Sequence, residues 1–364
     1  MKRWMLWAAL IMLLCPGARG EAPAQALLDQ TGFSGLVDLS KALDGPDVRR
    51  IAGEVLSGRL AIRRDLPGAA LRRFASAAKE ALLSALSALA VPVLVTLALR
   101  MVLGAEDGPM VLLCRLACVF SLGKQCAAAM EAAREGMAVA ARIANAAAPV
   151  VASALSLTGR AATSATLTPM AAVCADGIEN ALIAWGLPAC GIAAVVAAGG
   201  SLSDSFRLDR LFKLISGAVT RGVCLLIAAF VGMMALQGRL AAARDGASVQ
   251  AVRQALKGLI PLIGGSIGDS SAVLLESAAA VRNAVGVAGL MIVLSAAAGP
   301  AVRLGAHMLS MKLASALVEP VADSGITRIA AGFGEIARLQ LALYAGSVLL
   351  SGLVVGAGLG LLGF

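Results

Sequence analysis

LQLALYAGSVLLSGLVVGAGLGLL, residues Leu339–Leu362, contains no charged side chain. The hydrocarbon core of a bilayer is about 30 Å thick, and an α-helix needs roughly 20 apolar residues to cross it. This stretch is long enough, and as a helix it satisfies its own backbone donors and acceptors, as lipid requires. Working outward from it, Ala284–Val302 reads the same way. The composition agrees: 59% of the 364 residues are hydrophobic and 15% are charged, against about 25% charged in ordinary soluble domains. Mean hydropathy is +0.86. A soluble fold of this size has no interior large enough to hide so much apolar surface.

Earlier in the chain the same reading gives Ala81–Gly104, which carries Pro92, and then Met110–Met130, interrupted by Arg115 and Lys124. Met137–Thr158 is Ala-rich, with Arg142 placed to snorkel. Ile178–Ala198 carries Trp185 and Pro188, and Ile215–Gln237 has Arg221 near its start. The sequence thus predicts an all-α polytopic membrane protein of about seven transmembrane helices. Lys and Arg are nearly balanced between alternate loops, so the positive-inside rule gives little orientation.

The N-terminus predicts a signal peptide over residues 1–20. Lys2 and Arg3 precede an apolar run from Trp4 to Cys15, and Ala18-Arg19-Gly20 offers small residues for cleavage before Glu21. Residues 21–80 form the one long polar stretch, with nine Lys/Arg and eight Asp/Glu. Asp44-Gly45-Pro46-Asp47 is a turn signal there. Short amphipathic helices lying outside the membrane, or on its surface, are expected. The remainder, 81–364, reads as the multi-span membrane domain.

Two other segments interrupt the simple pattern. Ser201–Lys213 sets Leu202, Phe206, Leu208, Leu211 and Phe212 against Arg207, Arg210 and Lys213, an amphipathic surface-helix pattern. Gly258–Ala280 is apolar yet holds Pro261, Gly264, Gly265 and Gly268, followed by Asp269 and Glu276. That composition predicts a broken or re-entrant segment, tolerated only where protein or water satisfies the backbone.

Several chemistries are excluded by inventory. Net charge is +9 but scattered, and aromatics are 3%, so neither the phosphate footprint nor the stacking platform of a nucleic-acid binder is present. The single histidine, His307, leaves no His-rich metal site and suits a helix-packing or interfacial role. The seven cysteines contain no Cys-x-x-Cys pair; beyond the leader they sit in apolar runs, where free cysteine acts as a small hydrophobe. No bound cofactor is expected. Ser266-Ile267-Gly268-Asp269 falls one glycine short of an intramembrane aspartyl protease signature, and no second aspartate sits inside a clear span. Gly264-Gly265 lacks the Lys-Ser/Thr ending of a phosphate-gripping loop. Asp176 and Glu179, three apart at the mouth of the fourth span, and Asp269 with Glu276 remain as acids in apolar surroundings, where a carboxylate needs a partner or a function.

Gly-rich spans point to close helix approach. Gly286, Gly289, Gly346, Gly352, Gly356, Gly358 and Gly360 permit it, and Gly352-x-x-x-Gly356 is the spacing of a helix–helix contact motif.

Three blocks carry a resemblance. Gly258–Asp269 (GLIPLIGGSIGD), Val281–Gly289 (VRNAVGVAG) and Lys312–Asp323 (KLASALVEPVAD) resemble the stage III sporulation protein AE family. The most specific part is Val231–Glu335. The resemblance implies a non-enzymatic, multi-pass subunit in the mother-cell membrane around the forespore. It also implies a secretion-like channel complex with a cytoplasmic ATPase and ring-forming partners that sustains late forespore gene expression. Pro261, Gly264, Gly265, Gly268, Asp269 and Glu276 are the expected pore or docking residues. Lipid, the other complex members and a further copy of the chain are the expected contacts, with no nucleic acid. The competing expectation is a stand-alone secondary transporter with its solute site at the Gly-rich segment.

Overall fold

The computed structural model describes residues 109–158, 160–202, 208–259, 264–320 and 324–356, with scattered residues between 37 and 94. The expected signal peptide, most of the 21–80 region, nearly all of 81–104 and Pro261 lie outside them.

Among the described residues the backbone is helical from end to end. Helix α1 spans Pro109–Leu157 and α2 spans Ala161–Ala172. Two π-helical segments, Val173–Glu179 and Leu182–Gly186, lead into α3, Leu187–Leu202. Then come α4 (Asp209–Leu259), α5 (Gly264–Val318) and α6 (Ser324–Gly356). Five stretches are long and apolar enough to cross a membrane: Val111–Leu157, Gly177–Gly200, Asp209–Gly246, Ala279–Val318 and Ser324–Gly356.

Two expected spans, 110–130 and 137–158, prove to be one helix. The charged residues between them suggested a break. Glu131, Arg134 and Glu135 instead sit on the outer face, while Ala133, Gly136 and Met137 turn inward. No proline lies between Met130 and Met137, so the backbone continues through the junction, and the helix also carries Pro149 further on. The surface helix expected at Ser201–Lys213 is likewise corrected. Its first residues end α3 and its last ones open α4.

The bundle is arranged around α6, whose side chains are buried on every side but one. Helix α1 runs parallel to it, with Arg115 against Gly325 and the Gln340 amide donating to the Cys126 carbonyl at 3.2 Å. Helix α5 runs antiparallel, with Val355 against Gly289 and the Tyr344 hydroxyl donating to the Ala297 carbonyl at 2.8 Å. Helix α3 is also antiparallel, bringing Ala197 to Gly332 and the Gly200 carbonyl to Arg328. Helix α4 follows α6 through Val223 and Ile227 at Gly346. Among the described residues, helices α4 and α5 both pack on α6 but scarcely on each other. The least buried line of α6, with Ala331, Arg338, Ala345 and Leu349 exposed and Glu335 and Ala342 half-buried, recurs at spacings of three and four along one helix face. Glu335 and Arg338 form an ion pair on it.

Glycine explains how the helices come so close. At Gly136, Gly186, Gly222 and Gly289 an added Cβ would lie within 2.5 Å of a neighbouring side chain. Gly352 differs: nothing lies within 4 Å of that position. Of the Gly352-x-x-x-Gly356 pair, Gly356 is buried whereas the Gly352 position is open among the described residues. Large apolar residues elsewhere point outward, as Phe120 (74% exposed), Val195 (73%) and Leu225 (70%) do. On a soluble protein that much contiguous exposure would drive association; facing lipid it is ordinary.

Helix α2 lacks a side-chain cap from its own N-cap residue, Arg160. Asp245, eighty-odd positions along the chain on α4, supplies one. Its carboxylate accepts from Ala162 N–H at 2.8 Å, Thr163 N–H at 3.1 Å and the Thr163 hydroxyl at 2.6 Å. A carboxylate at a helix N-terminus also meets the positive end of the helix dipole. Asp245→Ala should therefore cost about 1–3 kcal/mol, because two backbone donors and a hydroxyl lose their acceptor in a buried place. Thermal unfolding in detergent checks this, and an unchanged midpoint would show that the cap adds nothing.

Candidate functional site

The residues expected at the Gly-rich segment are placed by backbone alone. Helix α4 ends at Leu259 and α5 begins at Gly264. Gly264, Gly265, Gly268, Asp269 and Glu276 occupy the opening turns of α5, and their side chains are outside the described residues. Residues 260–263, with Pro261 among them, separate the two helices in sequence and are likewise outside.

The chemistry that the structure does bring together lies elsewhere, at Glu179. This residue closes the first π-helical segment, Val173–Glu179. A π-turn is wider than an α-turn, a form found often at functional sites. The expectation of one acidic face formed by that pair lies outside the described residues on the Asp176 side. Glu179 faces the centre of the bundle and is fully buried. The side chain of Asp176 is outside the described residues.

Opposite Glu179 stands a polar row on α6: Gln340, Tyr344, Ser347 and Ser351, all buried. Their spacings of four, three and four put them on one helix face. The Ser351 hydroxyl donates to Glu179 Oε1. Ser347 lies beside the same carboxyl group. Glu179 Oε2 and Ser347 Oγ are both buried without a hydrogen-bond partner. Two orphaned oxygens in contact with one another's surroundings are costly, each on the order of 1–3 kcal/mol. Glu179 forms no ion pair among the described residues, and the stretch Gly177–Gly200 contains no Lys, Arg or His.

About two turns further along the row, Gln340 uses its amide nitrogen on the Cys126 carbonyl and sulfur, each at 3.2 Å, and leaves its Oε1 without a partner. Cys126 is free and buried, as are Cys114, Cys118 and Cys190. Among the described residues no three His, Cys, Asp or Glu side chains gather as a metal site. His307 lies half-buried within α5.

Ser347, Ser351 and Gln340 were not singled out by sequence. The signal was available: they are the polar residues of an otherwise apolar run, and they fall on one face.

Comparison with known proteins gives two matches. Residues 108–358 match the family model described as stage III sporulation protein AE. The Stage III sporulation protein AE of Bacillus subtilis (strain 168) is 22% identical over 135 residues, which are 37% of this chain and 34% of that protein. The aligned part thus spans about a third of that relative. No solved structure matches the chain.

Proposed function

The chain belongs to the stage III sporulation protein AE family, and we propose that it is a membrane subunit, without catalysis of its own, of a secretion-like channel complex between mother cell and forespore. It resides in the mother-cell membrane surrounding the forespore. Its partners are a cytoplasmic ATPase, which supplies the energy, and ring-forming proteins in the space between the two membranes. The assembly sustains late gene expression in the forespore. The observation that carries this reading is a bundle of five membrane-length helices over the part of the chain that matches the family. The chain's own inventory supports the lack of an engine: it has no phosphate-gripping loop.

Affinity purification from sporulating cells, with the chain tagged and solubilised in mild detergent, tests this. The ATPase and ring proteins should co-purify, and sporulation should fail when any of them is removed. The purified chain alone should move no solute in vesicles. Transport by the chain alone would instead establish a secondary transporter and overturn the subunit reading.

A further inference from the structure

Arg282 lies at the very start of the apolar stretch Ala279–Val318 of α5, and its charge is left unanswered. Among the described residues it forms no ion pair, and its hydrogen bond to the side-chain oxygen of adjoining Asn283 is long, at 3.5 Å. Its Nε is buried without any partner. The positive charge of Arg160 lies close enough to oppose its own. Asp245, which caps α2 beside Arg160, already accepts from two backbone N–H groups and the Thr163 hydroxyl. Both arginines are half-buried, so each keeps a part that a ligand can reach. A guanidinium carries only donors, and leaving a charged donor buried and unpaired is costlier than leaving a neutral one. Two such groups near one another are relieved by a shared anion.

The position in the bundle narrows the anion. Three apolar stretches have an end at this level: that of α1 at Leu157, just before Arg160, that of α4 at Gly246, beside Asp245, and that of α5 at Ala279. Hydrocarbon gives way there to lipid headgroups, so the anion in constant reach is a phosphate. A guanidinium fork meets phosphate oxygens in two parallel hydrogen bonds. Zwitterionic headgroups also bring a cation, which two arginines repel, whereas an anionic phospholipid brings none. We propose that Arg282 and Arg160 form a binding site for the phosphate of one anionic phospholipid, at the end of the bundle where α1 turns into α2. The bound headgroup ties α5 to that turn.

The test uses the full chain in nanodiscs, with phosphatidylglycerol titrated into phosphatidylcholine. Phosphatidylglycerol should raise the thermal midpoint by about 3 °C at saturation, and native mass spectra should show the lipid retained on the protein. Arg282→Gln should abolish the shift and cut the retained lipid about tenfold, as the loss of one charge-assisted hydrogen bond does. Arg160→Gln should weaken both readouts. Arg282→Lys should keep part of each, because lysine preserves the charge but not the fork. Arg210→Gln removes an equal charge from the exposed start of α4, at the other end of that helix from Asp245, and should change neither. Should Arg282→Gln not accumulate, the weakened shift in Arg160→Gln decides instead. A native midpoint indifferent to phosphatidylglycerol would leave Arg282 to water or to an acidic protein partner and overturn the proposal. So would a shift that both glutamine variants retain, which is general surface charge. Equal stabilisation by inorganic phosphate in pure phosphatidylcholine would make the site one for a soluble anion and overturn the lipid assignment.

Discussion

Gly264→Leu and Gly265→Leu are each expected to abolish spore formation while the protein still inserts in the membrane. Both glycines lie in the first turn of α5, where the backbone is helical from Gly264 onward. A glycine in a helix costs up to about 1 kcal/mol relative to alanine. Three of them, with Gly268, in five residues would be a liability in a helix that merely faced lipid. The cluster makes sense where another backbone or a partner must approach closely, a place that a leucine would fill. Spore counts after heat treatment, with membrane fractionation of the variant protein, give the readout. Asp269→Asn separates two roles for the adjoining acid: a mild defect fits pairing with a base, a severe one fits a conducting path. If both leucine variants sporulate normally, the docking or pore role of this segment is wrong.

The second large effect is expected at Gly136. A Cβ there would stand 2.5 Å from Tyr344 Cε2 and 3.0 Å from Pro300 Cβ. Neither neighbour yields easily. The Tyr344 ring is held by its hydroxyl on the Ala297 carbonyl, and Pro300 is a rigid ring within α5. Overpacking of this kind costs roughly 1–3 kcal/mol for small increments, so Gly136→Ala should lower the unfolding midpoint clearly. Gly136→Leu wedges α1, α5 and α6 apart and should prevent accumulation of folded protein. Gly352→Leu is the control, since its position meets no neighbour within 4 Å, and it should leave the midpoint unchanged. Equal stability of Gly136→Leu and native protein would show that this three-helix contact is not as tight as described.

These two positions also mark where sequence was informative. Charge-free runs located α6 and the centre of α5 because lipid imposes a length requirement that composition reveals directly. Starts and ends were harder. Helix α6 begins at Ser324, well before the apolar run at Leu339, because Arg328, Glu335 and Arg338 make its first half look like a loop. Those charges are accommodated locally: Arg328 reaches the Gly200 carbonyl, and Glu335 pairs with Arg338 along the one exposed line. Hydropathy averages over a turn and does not see that the remaining faces are buried. In the same way Glu131, Arg134 and Glu135 hid the continuity of α1.

Glu179 was legible as an acid out of place, but its surroundings were not. Its neighbours Ser347 and Ser351 come from a helix more than 160 positions later, and serine is unremarkable in a run so rich in Ala and Gly. Only the antiparallel pairing of α3 with α6 sets them opposite the carboxyl group. The π-helical turn had no sequence signature beyond Gly177.

The length of α5 has a mechanical consequence. At 1.5 Å per residue its 55 residues reach on the order of 80 Å, against a hydrocarbon core of about 30 Å. Much of it therefore projects beyond the lipid, and a rod held about two-thirds of the way along is a lever. A tilt of about 5° around the clamp formed by Tyr344, Pro300 and Gly136 would swing the Gly264 tip by roughly 5 Å and the Val318 tip by roughly 2 Å, in proportion to the unequal arms. Movements too small to disturb the packing at the fulcrum thus become displacements of atomic size at both membrane surfaces.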